Sequence, residues 1–405
     1  KFRMGLFENP RRPDREAQSR VVQCSEHREL NLRAARESLV LLKNDGTLPL
    51  EPSRFSSIAV VGPNADNPLA QLGDWSLGAS QYDSKYGTHP RELTTTIVDG
   101  LRARLPNAQI LHATAGDLWS KDPAALDAAL GVVQQSELAL VVVGDDIPFI
   151  GETRSTATLE LLGNQNALID AVAATGKPFV LVLVASKPLV LPESAQRAAA
   201  IIECFNPGMQ GGTALAEVLF GDRNPSGKLT ISYPRHVGQQ PIFYSQVRGQ
   251  HGNRYADLTQ EPLFCFGHGL SYTRFGYRNL RLKTPVVHEG QSLELEVELQ
   301  NEGERAGTEI VQAYVSDLVT SVTWVNQSLV AFARLTLEPG EKRTVRLLVP
   351  FERLSLVNAY EARVVEPGEF ELLVGGSSDR KSLLKATFRV DGCAFSFDAI
   401  PGVSR

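Results

Sequence analysis

Short, uninterrupted apolar runs recur along the first half of the chain and alternate with amphipathic segments. The runs occupy residues 58–61, 138–143, 179–184 and 200–202. A strand covered by helices on both faces is apolar at nearly every position, as in a parallel sheet. The segments between the runs have helical spacing and helix-boundary residues, and they cover residues 95–105, 123–135, 164–174 and 212–220. This alternation predicts an α/β domain with a doubly wound sheet over residues 25–234.

The hydrophobic period changes to two in the second half of the chain. Residues 292–300 alternate between apolar and polar side chains without a fault, which is typical of a strand with one face in water. The same alternation recurs, between turns that contain Pro and Gly, at residues 308–317, 343–349 and 369–374. The pattern predicts a small antiparallel sandwich, of the immunoglobulin or fibronectin kind, over residues 275–397.

Four segments lie outside these runs. Residues 25–43 carry helical spacing that stops at Asn44-Asp45-Gly46, so we predict a helix there. Residues 235–274 are rich in Gly, Gln, His and aromatic residues, and we interpret them as a linker region. Residues 1–24 start without methionine and in mid-pattern, which we interpret as the cut end of a preceding domain plus a linker. Residues 398–405 are interpreted as a C-terminal tail.

Composition and charge narrow the classes of partner. The 405 residues are 42% hydrophobic, with a formal charge of −5 and a pI near 5.9. Phosphate binding requires a basic surface, so we expect no nucleic-acid partner. No apolar run approaches the roughly 20 residues that span a bilayer, so we expect no membrane partner.

The residue types that hold metals and cofactors are scattered. The cysteines lack a C-x-x-C pair, which disfavours zinc ligation and a dense disulfide framework; they are Cys24, Cys204, Cys265 and Cys393. Buried free thiols are the simplest expectation, with one disulfide left open. Gly221 and Gly227 enclose five residues where a phosphate loop has four. The residues therefore indicate neither a zinc site nor a phosphate loop.

A cluster of carboxylates follows the second apolar run. Asp145, Asp146 and Glu152 lie there together with an apolar pair, Phe149 and Ile150. Ligands of open α/β sheets collect at the carboxyl ends of strands. An apolar wall disfavours the ionised form of a carboxyl group and raises its pKa, as a general acid requires. Because the apolar pair comes just before it, Glu152 is the candidate acid, and we expect Asp145 and Asp146 to brace the loop or cap the strand end. A solvated surface glutamate is the alternative.

A second candidate segment, Asp74-Trp75-Ser76, lies in the long loop after the first apolar run. An exposed tryptophan in such a loop often stacks on the apolar face of a sugar. A tryptophan that fills a domain interface is the competing interpretation, and the sequence does not separate the two.

Together, a set of short motifs resembles the second and third domains of glycoside hydrolase family three. In the α/β region these motifs occupy residues 36–44, 61–66, 152–155, 164–169, 175–178, 207–208, 211–212, 225–229 and 266–273. The sandwich adds residues 301–303 and 306–309. The motifs follow the family's order and cover nearly the whole chain. At residues 324–327 the chain departs from the Pro- and Lys-containing stretch often found in the family's sandwich, which puts any shared role of that loop in doubt.

The resemblance implies an architecture and a set of site residues. Members of the family typically have a TIM-type barrel, an α/β sandwich domain and a fibronectin type III-like domain. Residues 1–24 then correspond to the exit from the barrel and a linker, and the nucleophilic aspartate lies in the absent barrel, in the same protein or as a separate chain. Glu152 occupies the position of the family's general acid/base, and we expect Asp74, Trp75 and Phe149 to contact substrate.

The implied function is part of a retaining, exo-acting β-glycosidase. A β-glucosidase is favoured, which releases nonreducing-end sugars from β-linked oligosaccharides or glucosides by double displacement. The implied mechanism needs no metal and no cofactor. The alternatives are a β-xylosidase of the same family and a noncatalytic carbohydrate-binding or scaffold protein; a β-N-acetylglucosaminidase fits less well. This chain by itself is expected to be inactive. A periplasmic or secreted location is expected, with a cytoplasmic one as the alternative, and homo-oligomerisation is left open.

Overall fold

A computed structural model describes residues 1–12, 14–76, 89–247 and 255–392, and the backbone of residues 395–396. Two helices, α1 (Arg15–Val21) and α2 (Ser25–Ser38), precede the first strand, β1 (Val40–Asn44). The predicted helix over residues 25–43 is therefore too long. Leu39 to Leu42 are all buried, and so continuous an apolar run suits a strand inside a sheet better than an amphipathic helix.

A six-stranded sheet forms the middle of the α/β domain. Its other strands are β2 (Ser57–Val61), β3 (Gln109–Ala113), β4 (Leu138–Gly144), β5 (Phe179–Val184) and β6 (Ala200–Glu203). The strand order is β1-β6-β5-β4-β2-β3. Strands β2 to β6 pair in parallel, whereas β1 pairs with β6 in the antiparallel sense. The sequence analysis missed β1 and also β3, an edge strand whose residues are only partly buried.

Helices cover both faces of this sheet. They are α3 (Pro68–Leu72), α4 (Ile97–Arg104), α5 (Pro123–Gln134), α6 (Gln165–Ala174) and α7 (Gly211–Leu219). Alternate residues of each inner strand enter opposite cores: Ile58 packs with residues of α2, α4 and α7, and Ala59 packs with residues of α5 and α6. The predicted doubly wound α/β domain is confirmed.

The second half of the chain is a β-sandwich. Its strands are β7 (Phe275–Leu282), β8 (Val286–Val287), β9 (Leu293–Asn301), β10 (Gly307–Asp317), β11 (Ser328–Leu337), β12 (Lys342–Val349), β13 (Leu356–Val357), β14 (Arg363–Val365), β15 (Gly368–Gly375), β16 (Leu384–Val390) and β17 (Phe395–Ser396). The main sheets have the orders β11-β10-β15-β16-β8 and β12-β9-β7, and a small sheet has the order β13-β14-β17. Every second residue of β9 is buried between the main sheets, as the two-residue period predicts.

Contacts join the sandwich to the α/β domain. The Lys228 ammonium lies 3.0 Å from the Glu309 carboxylate, and both side chains are largely buried. Gln312 donates a hydrogen bond of 3.2 Å to the Gly267 carbonyl oxygen. A Cβ atom at Gly267 would lie 2.1 Å from the Gln312 side chain, so this close approach requires glycine. The sandwich is thus seated on the segment that follows the α/β domain.

The described cysteines are free thiols. Cys204 is buried, while Cys24 and Cys265 are partly exposed; Cys393 lies outside the described residues. Within the part of the chain that the structure describes, no helix is both long and apolar enough to cross a membrane.

Candidate active site

The strand order reverses at β2. Strand β3 lies on one side of β2 and β4 on the other, and the connecting helices α4 and α5 cover opposite faces of the sheet. At such a switch point the loops at the carboxyl ends of the strands diverge and leave a crevice where ligands bind. The loop after β2 carries Asp74 and Trp75, and the loop after β4, residues 145–155, carries Glu152. The two segments singled out in the sequence therefore meet at the same edge of the sheet.

The first two residues of the Glu152 loop (residues 145–155) are braced. Asp145 is buried and accepts a hydrogen bond of 3.0 Å from the backbone N–H of Ser186. Burial raises the pKa of Asp145 to about 6. Asp146 accepts hydrogen bonds of 2.7 Å from the backbone N–H of Ile147 and from Asn67 Nδ2, and burial raises its pKa. The expected bracing role of both aspartates is confirmed.

Two buried amides fix the strand end from which this loop departs. Asn64 Nδ2 donates to the carbonyl oxygens of Asp145, at 2.9 Å, and Val184, at 3.1 Å. Gln165 Oε1 accepts a hydrogen bond of 2.7 Å from the backbone N–H of Gly144, and Gln165 Nε2 donates one of 3.1 Å to the Gly144 carbonyl oxygen. A Cβ atom at Gly144 would lie 1.8 Å from the Val184 carbonyl oxygen, so β4 and β5 approach this closely only because the residue is glycine.

Asp74 and Glu152 are joined directly. The backbone N–H of Glu152 donates a hydrogen bond of 3.0 Å to Asp74 Oδ2. Gly151 has a φ of +94°, and a Cβ atom there would lie 2.1 Å from the same oxygen. Glycine thus lets the loop turn onto the Asp74 carboxylate. The contact places Asp74 against the backbone of Glu152, which is a positioning role.

Two residues that flank this contact have backbone conformations that non-glycine residues rarely adopt. Trp75 has a φ of +60° and Thr153 a φ of +69°. Such conformations cost roughly 1–3 kcal/mol each and cluster at functional sites, where the surrounding structure imposes them. Trp75 is 64% exposed, so it is open to a bound molecule or to another domain.

Phe149 packs against a residue that the sequence analysis did not single out. Its ring lies 4.6 Å from the Trp119 ring, centroid to centroid, in an edge-on arrangement with an interplanar angle of 86°. Trp119 is 62% exposed and lies in the loop after β3, the strand beside β2. In the sequence, Trp119 is an isolated tryptophan after strand β3, and the sequence analysis had not recognised that strand. Trp119 therefore packs on the Glu152 loop through Phe149 and adds an exposed aromatic surface there.

The expected apolar wall beside Glu152 is not supplied by its neighbours in sequence. Ile150 is buried, and Phe149 packs against Trp119, while Glu152 itself is exposed. Among the three carboxylates of residues 145–155, Glu152 is the exposed one, and it is therefore the one that a bound molecule can reach.

A further buried carboxyl group lies at the end of β6. Glu203 is inaccessible to solvent, and burial raises its pKa to about 8, even though the Tyr233 hydroxyl and the backbone N–H of Phe205 donate to it. The nearby Asp145 carboxylate also raises this pKa. The sequence analysis did not single out Glu203, because a single glutamate at the end of an apolar run matches no functional motif. Since no bound molecule can reach it, we assign it a structural role.

Comparison with known proteins places both domains in one enzyme family. Residues 39–272 match the glycosyl hydrolase family 3 C-terminal domain, and residues 309–378 match a fibronectin type III-like domain. The β-xylosidase of Formosa agariphila is 36% identical over 96% of this chain and 54% of its own length. The periplasmic β-glucosidase of Salmonella typhimurium is 35% identical over 94% of this chain and 53% of its own length.

Solved structures give the same result. A β-glucosidase involved in saponin metabolism, from intestinal bacteria, superposes with a TM-score of 0.92 and is 44% identical, over 96% of this chain and 58% of that chain. The Listeria innocua β-glucosidase bound to glucose superposes with a TM-score of 0.85 at 30% identity, over 96% and 53% of the two chains. The chain thus spans about half the length of the relatives it matches. From its sequence, its fold and these matches, the chain belongs to glycosyl hydrolase family 3 and comprises the family's C-terminal domain followed by the fibronectin type III-like domain.

Proposed function

We propose that this chain supplies the acid/base half of a retaining β-glycosidase, with Glu152 as the proton donor. One observation carries the proposal: hydrogen bonds anchor the loop after β4 both where it leaves the strand and at the backbone of Glu152, and Glu152 is its exposed carboxyl group. These hydrogen bonds fix the backbone at Glu152, so the position from which its side chain extends toward a substrate is defined. General acids require this kind of positioning before they require a tuned pKa.

A barrel that bears the nucleophile would complete the site. The matched relatives are nearly twice as long as the region they share with this chain, which leaves room for such a domain. The N-terminal segment exposes large apolar side chains that a docked domain would cover; these are Phe2, Met4, Phe7, Val21 and Val22. We therefore propose that the barrel is a second part of the same protein or a separate chain, and that the present chain is inactive without it.

The reaction would proceed by double displacement. A barrel aspartate attacks the anomeric carbon, the glycosidic C–O bond breaks, and Glu152 gives its proton to the departing oxygen. The Glu152 carboxylate then takes a proton from water, whose oxygen attacks the anomeric carbon and releases the aspartate. The two carboxyl groups of a retaining site stand about 5–5.5 Å apart, so the barrel must dock closely on the Glu152 loop.

Substrate contacts from this chain would lie on the leaving-group side. Trp75 is exposed next to Asp74, and Trp119, which packs on the partly buried Phe149 of the Glu152 loop, is exposed as well. Aromatic rings of this kind stack on sugars and on apolar leaving groups. A β-glucoside is the favoured substrate because three of the four relatives described above are β-glucosidases. A β-xyloside is the second candidate because the fourth relative, 36% identical, is a β-xylosidase. A periplasmic relative supports a periplasmic or secreted location.

Hydrolysis of aryl β-glucosides and aryl β-xylosides tests the proposal. The complete enzyme, with its barrel, is expected to turn over, and the purified chain alone is expected to give no hydrolysis above background. Glu152→Ala should lower kcat/KM for substrates with poor leaving groups by at least about a thousand-fold, the upper part of the usual range for loss of acid catalysis. Glu160→Ala, an exposed glutamate eight positions further along, is the matched control and should retain activity. Equal activity of both variants would refute the role of Glu152.

A further inference from the structure

Asn206 lies in the loop after β6, and its side chain contacts two other segments at the same edge of the sheet. Its Nδ2 atom donates a hydrogen bond of 2.9 Å to the carbonyl oxygen of Ala70, which belongs to α3. Its Oδ1 atom accepts a hydrogen bond of 2.8 Å from the hydroxyl of Ser186, in the loop after β5. The contact with Ala70 fixes which way the amide points, because only the NH₂ group can face a carbonyl oxygen.

Each of these two segments supports one part of the Glu152 loop. The backbone N–H of Ser186 donates to Asp145 Oδ1 at 3.0 Å, where the loop leaves β4. Beyond α3, Asp74 Oδ2 accepts the hydrogen bond of 3.0 Å from the backbone N–H of Glu152. Asn206 therefore connects the support at the start of the loop to the support at Glu152.

Asn206 also lies directly against the chain that precedes Asp74. Gly73 has a φ of +74°, and a Cβ atom there would lie 2.8 Å from Asn206 Cγ. Any side chain larger than hydrogen at Gly73 would therefore collide with the amide. Because Gly73 and Asp74 are adjacent, the Asn206 side chain limits where the Asp74 backbone can lie.

The turn that carries Asn206 is itself held in place. Phe205 has a φ of +52°, and its backbone N–H donates a hydrogen bond of 2.6 Å to the buried Glu203 carboxyl group. On the other side, the N–H of Gly208 donates to the Gln71 carbonyl oxygen at 2.8 Å, and Gln71 Nε2 donates to the Gly208 carbonyl oxygen at 3.2 Å. The backbone is thus fixed on both sides of Asn206, and its side chain has a defined position from which to hold the two segments.

We propose that Asn206 is a positioning residue for Glu152, because its amide ties the loop after β5 to α3 and so holds the two supports of the Glu152 loop in a fixed relation. The proposal rests on the proposed role of Glu152 as the proton donor. It involves no contact between Asn206 and the substrate.

Hydrogen exchange of the Glu152 amide tests the positioning in the purified chain, without any activity. Asn206→Ala removes both hydrogen bonds and should accelerate this exchange about tenfold, within the range expected for the loss of one or two neutral hydrogen bonds. Asn358→Ala is the matched control, because Asn358 is also partly buried and accepts two hydrogen bonds, of 3.0 Å and 3.1 Å, within the sandwich. The control should leave the exchange of the Glu152 amide at the wild-type rate. No acceleration in Asn206→Ala, or equal acceleration in both variants, would overturn the proposal.

Ser186→Ala provides a second test that holds even if Asn206→Ala fails to fold. Ser186 is exposed, and the substitution removes its hydroxyl but keeps the backbone N–H that binds Asp145. Exchange of the Glu152 amide should accelerate about threefold, as expected for one neutral hydrogen bond. Adding Ser186→Ala to Asn206→Ala should have no further effect, because both substitutions break the same bond. An unchanged rate in Ser186→Ala would contradict the proposal.

In the complete enzyme, the loss of activity should depend on the leaving group. Asn206→Ala should lower kcat/KM about tenfold for a methyl glycoside, whose leaving group needs a proton, and should leave it nearly unchanged for a 2,4-dinitrophenyl glycoside. A merely structural role would lower both values equally, and that result would overturn the proposal. Full activity of Glu152→Ala would instead refute the proposed function, and the exchange measurements would still decide whether Asn206 positions the loop.

Discussion

Gly151→Ala perturbs the turn that joins the Glu152 loop to Asp74. At Gly151 φ is +94°, and the added methyl carbon would lie 2.1 Å from Asp74 Oδ2 and 2.2 Å from its Cγ. Ordinary carbon contacts are about 3.5 Å or longer, so Asp74 or the loop must move by more than about 1 Å. An L-residue in a left-handed conformation costs roughly 1–2 kcal/mol in addition. We expect the substitution to break the hydrogen bond from the Glu152 N–H to Asp74.

The size of the effect follows from that bond. A hydrogen bond to a charged group contributes about 1.5–3 kcal/mol, which corresponds to roughly a 10- to 150-fold change in an equilibrium constant. Hydrogen exchange of the Glu152 amide should therefore accelerate by roughly that factor in the purified chain. In the complete enzyme a displacement of about 1 Å at a catalytic group can lower the rate about a hundred-fold, so kcat/KM should fall to about that extent.

Gly131→Ala is the matched control. Gly131 lies inside α5, and nothing lies within 4 Å of an added Cβ atom there. Alanine is favoured over glycine in a helix by about 0.5–1 kcal/mol, so this variant should be slightly more stable and equally active. If Gly151→Ala leaves both the exchange of the Glu152 amide and the activity unchanged, the positioning role of Asp74 is wrong.

Three further predictions concern separate parts of the molecule. The pKa of Asp145 is raised in the folded state to about 6, so the protonated carboxyl group stabilises the fold fully below its unfolded pKa, and this stabilisation is lost as the pH rises through 6. Asparagine cannot ionise, so the free energy of unfolding of Asp145→Asn, measured in urea, should rise relative to that of the wild type by up to about 3 kcal/mol between pH 4 and pH 7. Lys228→Met leaves the Glu309 carboxylate buried without its cation and should lower the free energy of unfolding by about 3 kcal/mol. Adding Glu309→Gln should recover part of this loss, and equal stability of the single and double variants would contradict the prediction. Trp119→Ala removes the ring packed on Phe149. In the complete enzyme it should raise KM for aryl glycosides about tenfold and leave KM for methyl glycosides constant. Equal effects on both substrates would exclude a contact between Trp119 and the leaving group.

Local pattern predicted most of the fold. The continuous apolar runs became the buried strands β2, β4, β5 and β6, and the alternation over residues 292–300 became β9. The errors occurred where local and tertiary preferences differ. Val40 to Leu42 could continue a helix by composition, and only pairing with β6 makes them part of a strand. Strand β3 is half-buried at the sheet edge, so its pattern is weak.

The sequence identified the loop that carries the candidate acid, but it did not predict which residues that loop contacts. The position of Glu152 after a buried strand, together with the family motif, singled it out from the sequence. The contact between Asp74 and Glu152 joins residues 78 positions apart in the chain, and it depends on strand order, which periodicity does not specify. Trp119 was missed for the same reason, because only the fold brings its loop beside Phe149.

The most direct test of the central claim is chemical rescue of Glu152→Ala in the complete enzyme. With a 2,4-dinitrophenyl glycoside, whose leaving group needs no proton, the first step should proceed in the variant, and release of the sugar should then be slow because no base activates water. Azide needs no base, so it should accelerate turnover and give a β-glycosyl azide, with the anomeric configuration of the substrate retained. Turnover of the variant at the wild-type rate without azide, or an α-glycosyl azide as the product, would contradict the assignment of Glu152 as the acid/base of a retaining enzyme.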